Sequence, residues 1–232
     1  MVVRQLTIVT FNAGKGLGNT DACLQSASEV GAAAVVVTEP WRLRTEEVLE
    51  EPVVRRHPSY DESYGLDRTV ALYLRKDLGW QVRTVARHTV AATLGRVALV
   101  AAYWHPDDAS ADSETLDVAG ALRRYDLVLT GDFNERHRLW EASRRRARPR
   151  ARRLADWASA RGSTPLVRDK PTHRRGGVID NFFAPAWMGV ADVRHDLGFR
   201  SDHLPVVATL FGEAVKSSVP ARVVVPLRRY DD

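Results

Sequence analysis

Short apolar runs, each closed by a polar residue, constrain this chain more than any other feature of its sequence. Residues 6–11, 33–38, 69–74, 80–86, 97–103, 126–130, 178–183, 190–192 and 206–211 each read as a β-strand. They are too short for independent helices and are bounded by Gly, Pro, Asn or Asp. Three stretches carry helical signals. They are 20–30, stopped by Gly31; 113–125, with Ser113 or Asp112 as N-cap; and 150–161, stopped by Gly162. Several strands follow one another with no helix between, which disfavours a doubly wound parallel sheet. The pattern predicts an α/β (α+β) protein, a four-layer αββα sandwich of two mixed β-sheets flanked by helices.

The chain has 232 residues, enough to bury a sizeable core without disulfides or structural metal. One domain is expected over 1–212. Residues 213–232, with two prolines and a charged end, read as a tail or linker to a downstream region. The single cysteine, Cys23, excludes an internal disulfide and a multi-Cys zinc site. No apolar run reaches the ~20 residues needed to span a bilayer. The first residues read as a strand rather than a secretory signal. An intracellular protein with no membrane partner is therefore expected.

Charge is distributed unevenly. Lys plus Arg is 34, Asp plus Glu is 29, and only four of the cations are Lys. Residues 1–110 carry 12 cations and 13 anions, whereas 111–232 carry 22 and 16. Nine arginines lie between Arg136 and Arg153. This asymmetry points to a polyanionic partner, with a solvated basic face as the alternative.

Chemistry shows in what ends each apolar run. The first ends in Asn12, the second in Glu39, and 97–103 in Tyr103, with His105 beyond. The run over 126–130 leads into Gly131-Asp132-Phe133-Asn134. Val178-Ile179 meets Asp180, and Ser201-Asp202-His203 precedes the last strand. Taken singly, each has a plain structural explanation, such as a turn, a strand end or a helix cap. His137 and Trp140 read as packing. If the ends converge, they form an oxygen-rich pocket with one histidine, which suits Mg²⁺ or Mn²⁺ better than zinc.

In this order, Phe11-Asn12, Thr38-Glu39, Gly131-Asp132-Phe133-Asn134, Ile179-Asp180 and Ser201-Asp202-His203 resemble the endonuclease/exonuclease/phosphatase superfamily over about residues 5–211. A narrower resemblance, to the apurinic-type endonuclease domain of LINE-type (non-LTR) retrotransposons, particularly fungal ones, rests on further segments. These are Glu39-Pro40-Trp41, Arg56-His57-Pro58-Ser59-Tyr60, Arg75-Lys76-Asp77-Leu78, Leu139-Trp140 and Pro171-Thr172-His173-Arg174-Arg175-Gly176. The sequence departs from the pattern at four places. Thr38 stands where the family has Gln, and Gly14 where repair enzymes are acidic. Asn181 replaces an apolar residue or His, and Gly177 replaces Ser.

The resemblance implies an Mg²⁺-dependent (Mn²⁺ possible) endonuclease. It would nick double-stranded DNA and leave a 3′-OH that primes reverse transcription. Glu39 would hold the metal with Asn12 or Asp202. His203, polarised by Asp180, would meet the scissile phosphate or handle a proton. Asp132 would orient or deprotonate the attacking water, Asn134 would fix the phosphate, and Tyr103 would donate to it. By charge and position, Arg144, Arg145, Arg146, Arg148 and Arg150 are expected to contact DNA phosphates, and Thr172, Arg174 and Arg175 to contact a groove near the cut. The parent polyprotein would carry a reverse transcriptase domain, and a retroelement endonuclease would act in the nucleus. Rival readings are an abasic-site repair enzyme or another phosphodiesterase of this fold, and a nucleic-acid-binding derivative without activity.

Overall fold

The computed structural model describes residues 5–16, 18–43, 51–52, 55–197 and 200–211. The tail expected over 213–232 lies outside them. In chain order the elements are β1 (Gln5–Asn12), α1 (Asn19–Glu29), β2 (Ala34–Thr38), β3 (Arg42–Leu43), β4 (Glu51–Pro52), β5 (Tyr60–Tyr64), β6 (Val70–Arg75), β7 (Gln81–Val85), β8 (Thr89–Leu94) and β9 (Val97–Tyr103). There follow α2 (Ala111–Ala121), β10 (Asp126–Asp132), α3 (Pro149–Ala160), β11 (Ser163–Pro165), β12 (Asp180–Pro185), β13 (Gly189–Val193) and β14 (Val206–Phe211).

One six-stranded sheet is ordered β13-β14-β1-β2-β6-β5 and the other β11-β12-β10-β9-β8-β7, so the expected pair of mixed sheets is present. Each sheet has one parallel pair, β1 with β2 and β9 with β10, among antiparallel neighbours. A parallel pair needs a crossover, supplied here by α1 and by α2. The consequence is that strand ends gather in register. Asn12 lies beside Thr38, and Asp132 beside Tyr103. The antiparallel strands β12 and β14 begin where β10 and β1 end, pairing Asp180 with Asp132 and Val206 with Thr10.

Alternation along the strands divides the core. Ile8, Ala34, Val36, Val70 and Leu72 join Val90, Ala92, Leu99, Ala101 and Val128 of the other sheet in one cluster. Their neighbours Val9, Phe11, Val35 and Val37 pack with Cys23, Leu24 and Ala27 of α1. This is the period-two pattern of strands covered on both faces. Burial pushes the Cys23 thiol up to about 12, so it serves as a small apolar side chain.

Four differences from the sequence expectation have physical causes. β8, Thr-Val-Ala-Ala-Thr-Leu, is buried at all six positions, so it shows no alternation, and its alanines have weak strand propensity. β5 is a polar edge strand anchored by buried Tyr60. Ser110 rather than Ser113 or Asp112 precedes α2. Asp112 is instead buried, accepting from Arg153 Nε at 2.6 Å. The strand expected over 178–183 begins only at Asp180.

Candidate active site

The two sheets meet chemically at Asn12. Its Nδ2 donates to Asp132 Oδ2 at 2.8 Å, across the sandwich, and to Glu39 Oε1 at 3.2 Å. The Tyr103 hydroxyl donates to the same Glu39 oxygen at 2.6 Å. Side chains from β1, β2, β9 and β10 thus form one bonded set. Local geometry aims them. Gly131 has φ +145°, and a Cβ there would lie 1.8 Å from the Ala102 carbonyl oxygen, so only glycine fits before Asp132. Asn134, at φ +51°, wraps back on Asp132. Its backbone N–H donates to Asp132 Oδ1 at 2.9 Å and its Nδ2 to Oδ2 at 3.2 Å. Glu39 sits at φ +45° although it precedes Pro40, where sterics favour extended backbone. Two non-glycine residues held in the left-handed region at one site are strain of the kind found where function requires it.

The next strand supplies a second pair. His203 Nδ1 bonds Asp180 Oδ2 at 2.9 Å, which leaves Nε2 as the outward edge of the ring. Both are buried. The Ser201 hydroxyl donates to Asn12 O at 2.8 Å and accepts from His203 N at 3.1 Å, tying the last loop to β1. Thr172 Oγ1 accepts from the backbone N–H of both Ile179 and Asp180 at 3.0 Å. The His173 ring meets His203 edge-on, with centroids 4.8 Å apart, and its Nε2 bonds Asp202 Oδ2 at 3.1 Å.

Electrostatics follow from burial. Desolvation first, and then the Asp180 carboxylate, push Asp132 up to about 8. Burial opposes charge on His203, yet Asp180, by charge and hydrogen bond, and then Asp132 raise it to about 10. Burial also works against Asp202, but His203 and His173 hold its carboxyl below the usual range. With both carboxylates ionised, one imidazolium leaves the group short of positive charge. Ligand atoms of Asp132, Asp180 and His203 lie within 4.8 Å of one another, as do those of His173, Asp202 and His203. With Glu39 beside Asn12, this oxygen-rich donor set fits a hard divalent cation.

Asn12, Glu39, Tyr103, Asp132, Asn134, Asp180 and His203 are therefore brought together. Asp202 is half exposed and pairs with His173, and one of its oxygens lies near Gly14. Two expected DNA contacts are not available. Thr172 is wholly buried, with its hydroxyl committed to the backbone of 179–180. The Arg150 side chain is only 11 % exposed, turned between Asp112 and Glu135 and over the Trp104 ring. Arg145, Arg146, Arg148, Arg174 and Arg175 are exposed and Arg144 is half-buried. Trp140 packs on Phe183 in the core, as expected. Ser201, Thr172 and His173 escape notice as supporting residues, because hydroxyl-to-backbone bonds and ring stacking have no local sequence signature.

Comparison with known proteins gives the same picture. Residues 97–207 match a family model described as endonuclease-reverse transcriptase. No curated protein matches the chain. Among solved structures, the endonuclease domain of TRAS1, a telomere-specific non-LTR retrotransposon, is similar at TM-score 0.68 and 18% identity, over 89% of this chain and 98% of that one. The 3′ phosphatase NExo from Neisseria, bound to a product DNA hairpin, is similar at TM-score 0.58 and 18% identity, over 88% and 98%. An AP endonuclease from Archaeoglobus fulgidus is similar at TM-score 0.53 and 16% identity, over 88% and 98%. The chain therefore has the fold of the endonuclease/exonuclease/phosphatase superfamily, and its residues 97–207 match the endonuclease-reverse transcriptase family model.

Proposed function

We propose that the chain is a divalent-metal-dependent endonuclease that nicks double-stranded DNA, of the kind that opens a target for reverse transcription. The observation that carries this reading is the Asn12–Asp132 bond, which joins both sheets and sets Glu39, Tyr103 and Asp132 beside the Asp180–His203 pair. Glu39, with Asn12 and Asp132, would hold Mg²⁺ or Mn²⁺. The bound ion supplies Lewis-acid charge to a phosphate oxygen.

The chain's own groups do the rest. Asp180 fixes the His203 ring and keeps it cationic, so that Nε2–H can donate to a non-bridging oxygen. Asp132, held by Asn12 and Asn134, orients a water and accepts its proton. Tyr103 positions Glu39 through its hydroxyl. Asn134 anchors Asp132, and its remaining amide oxygen is the group left for a water or sugar contact. Arg174 and Arg175, exposed beside His173, are cations available to neighbouring phosphates. Retrotransposon-type nicking is preferred over abasic repair because of the family description and the higher similarity to the TRAS1 domain. On this reading a reverse transcriptase domain is the partner and the nucleus the site of action. Among the described residues no helix is long and apolar enough to cross a membrane.

Supercoiled plasmid incubated with the protein and Mg²⁺ is expected to become open circle, with ends that a polymerase extends. Glu39→Ala and Asp132→Ala abolish this. Equal nicking by wild type and both variants would overturn the assignment.

A further inference from the structure

Some arginines in this protein meet a carboxylate: Arg75 pairs with Asp77, Arg136 with Glu141, Arg153 with Asp112 and Arg194 with Asp196. Those around one cleft do not. Arg138, Arg144, Arg145, Arg146 and Arg152 converge with His137 around a space of about 460 Å³. Among the described residues none of these five guanidinium groups has an ion pair, and the buried Nε of Arg144 has no hydrogen-bond partner. Arg152 donates only to the Ala147 carbonyl, at 3.2–3.3 Å. Burial and Arg138 push His137 down against the pull of Asp156, as expected where cations already crowd the ring. Converging cations repel unless an anion lies between them, and forked guanidinium groups match phosphate.

The cleft is also near the site. His137 follows Asn134 by three residues, so their Cα atoms are at most about 11 Å apart. That span is on the order of three nucleotides along one strand at ~3.4 Å rise each. We propose that this cleft is a phosphate-backbone exosite for duplex DNA, gripping the strand within a few nucleotides of the cut. The claim rests on the nuclease reading for its position, but its binding chemistry can be tested alone.

The test measures binding of a labelled DNA duplex in EDTA across a salt series. It compares wild type with Arg145→Ala/Arg146→Ala, the charge-keeping Arg145→Lys/Arg146→Lys, and Arg123→Ala/Arg124→Ala on a different exposed stretch. The expected result is a slope of log Kd against log salt that is shallower by about 2 for the alanine pair in the cleft. The lysine pair and the remote pair keep the wild-type slope. A cleft alanine pair with the wild-type slope, or a remote pair that loses as much, overturns the exosite, as does failure of the wild type to bind duplex. If binding behaves as expected and Mg²⁺ brings no nicking, the nuclease reading fails while the exosite stands.

Discussion

Burial and the neighbouring Asp180 push Asp132 up to about 8, whereas an unfolded Asp titrates near 4. The folded chain therefore binds more protons over that interval, and the sign of the linkage is unfavourable. Without metal, the contribution of Asp132 to stability falls as pH rises from about 4 to about 8. Asp132→Asn removes the titrating group. It is expected to melt higher than wild type at pH 8 in EDTA while losing roughly 10²–10⁴-fold of nicking activity. Thermal melts at several pH values, with the plasmid assay alongside, check both halves of this trade. His88 shows the opposite sign, away from the site. Although burial works against its charge, Asp67 at 2.5 Å and Asp108 at 2.8 Å hold its pKa above the usual value. Its contribution is complete below about 6.5 and lost as pH rises through the raised value. His88→Gln should therefore narrow its stability deficit as pH rises above neutrality, read from denaturant midpoints. A deficit that does not change with pH would remove the ion-pair explanation.

At the scale of elements, the β12 end depends on two devices that bear on DNA only indirectly. Thr172 Oγ1 fixes the turn into β12 by accepting two N–H groups. Thr172→Val leaves both donors without that partner, the Asp180 N–H buried and the Ile179 N–H partly so, and should cost about 2–4 kcal/mol, at 1–3 for each unsatisfied group with partial relaxation. Thr172→Ser should recover most of it. Denaturant unfolding of the pair separates the hydroxyl from the methyl. Near the end of β10, Gly131→Ala would drive a methyl into the Ala102 carbonyl of the parallel β9–β10 pair. Loss of soluble folded protein is expected, where Gly162→Ala, with no atom within 4 Å of its added methyl, incurs only the strain of φ +62°. Circular dichroism on both variants makes the comparison.

For the whole molecule, the sandwich brings together carboxylates that a divalent cation would balance. Mg²⁺ or Mn²⁺ at about 100 times its Kd should stabilise the wild type by about 2.7 kcal/mol through mass action. A thermal shift of the same size in Asp132→Asn would mean that the ion sits elsewhere. Apolar runs closed by polar residues were enough to anticipate two mixed sheets and seven of the converging side chains, because strand periodicity and strand-end chemistry are local properties. Strand β8 escaped because its threonines interrupt the apolar run and its alanines have weak strand propensity, and β5 because an edge strand tolerates polar residues.

The amino-acid sequence by itself determined nine of the strands, the polar residues that close them and the basic bias of the second half. Only the tertiary structure decided that Asn12 bridges to Asp132, that Thr172 and Arg150 turn inward, and that five arginines face one another around a cleft without a carboxylate partner. The reason is physical. Periodicity and strand-end chemistry act between neighbours in the chain, whereas the direction of a side chain and the charge it meets depend on groups that become neighbours only when two sheets close on each other.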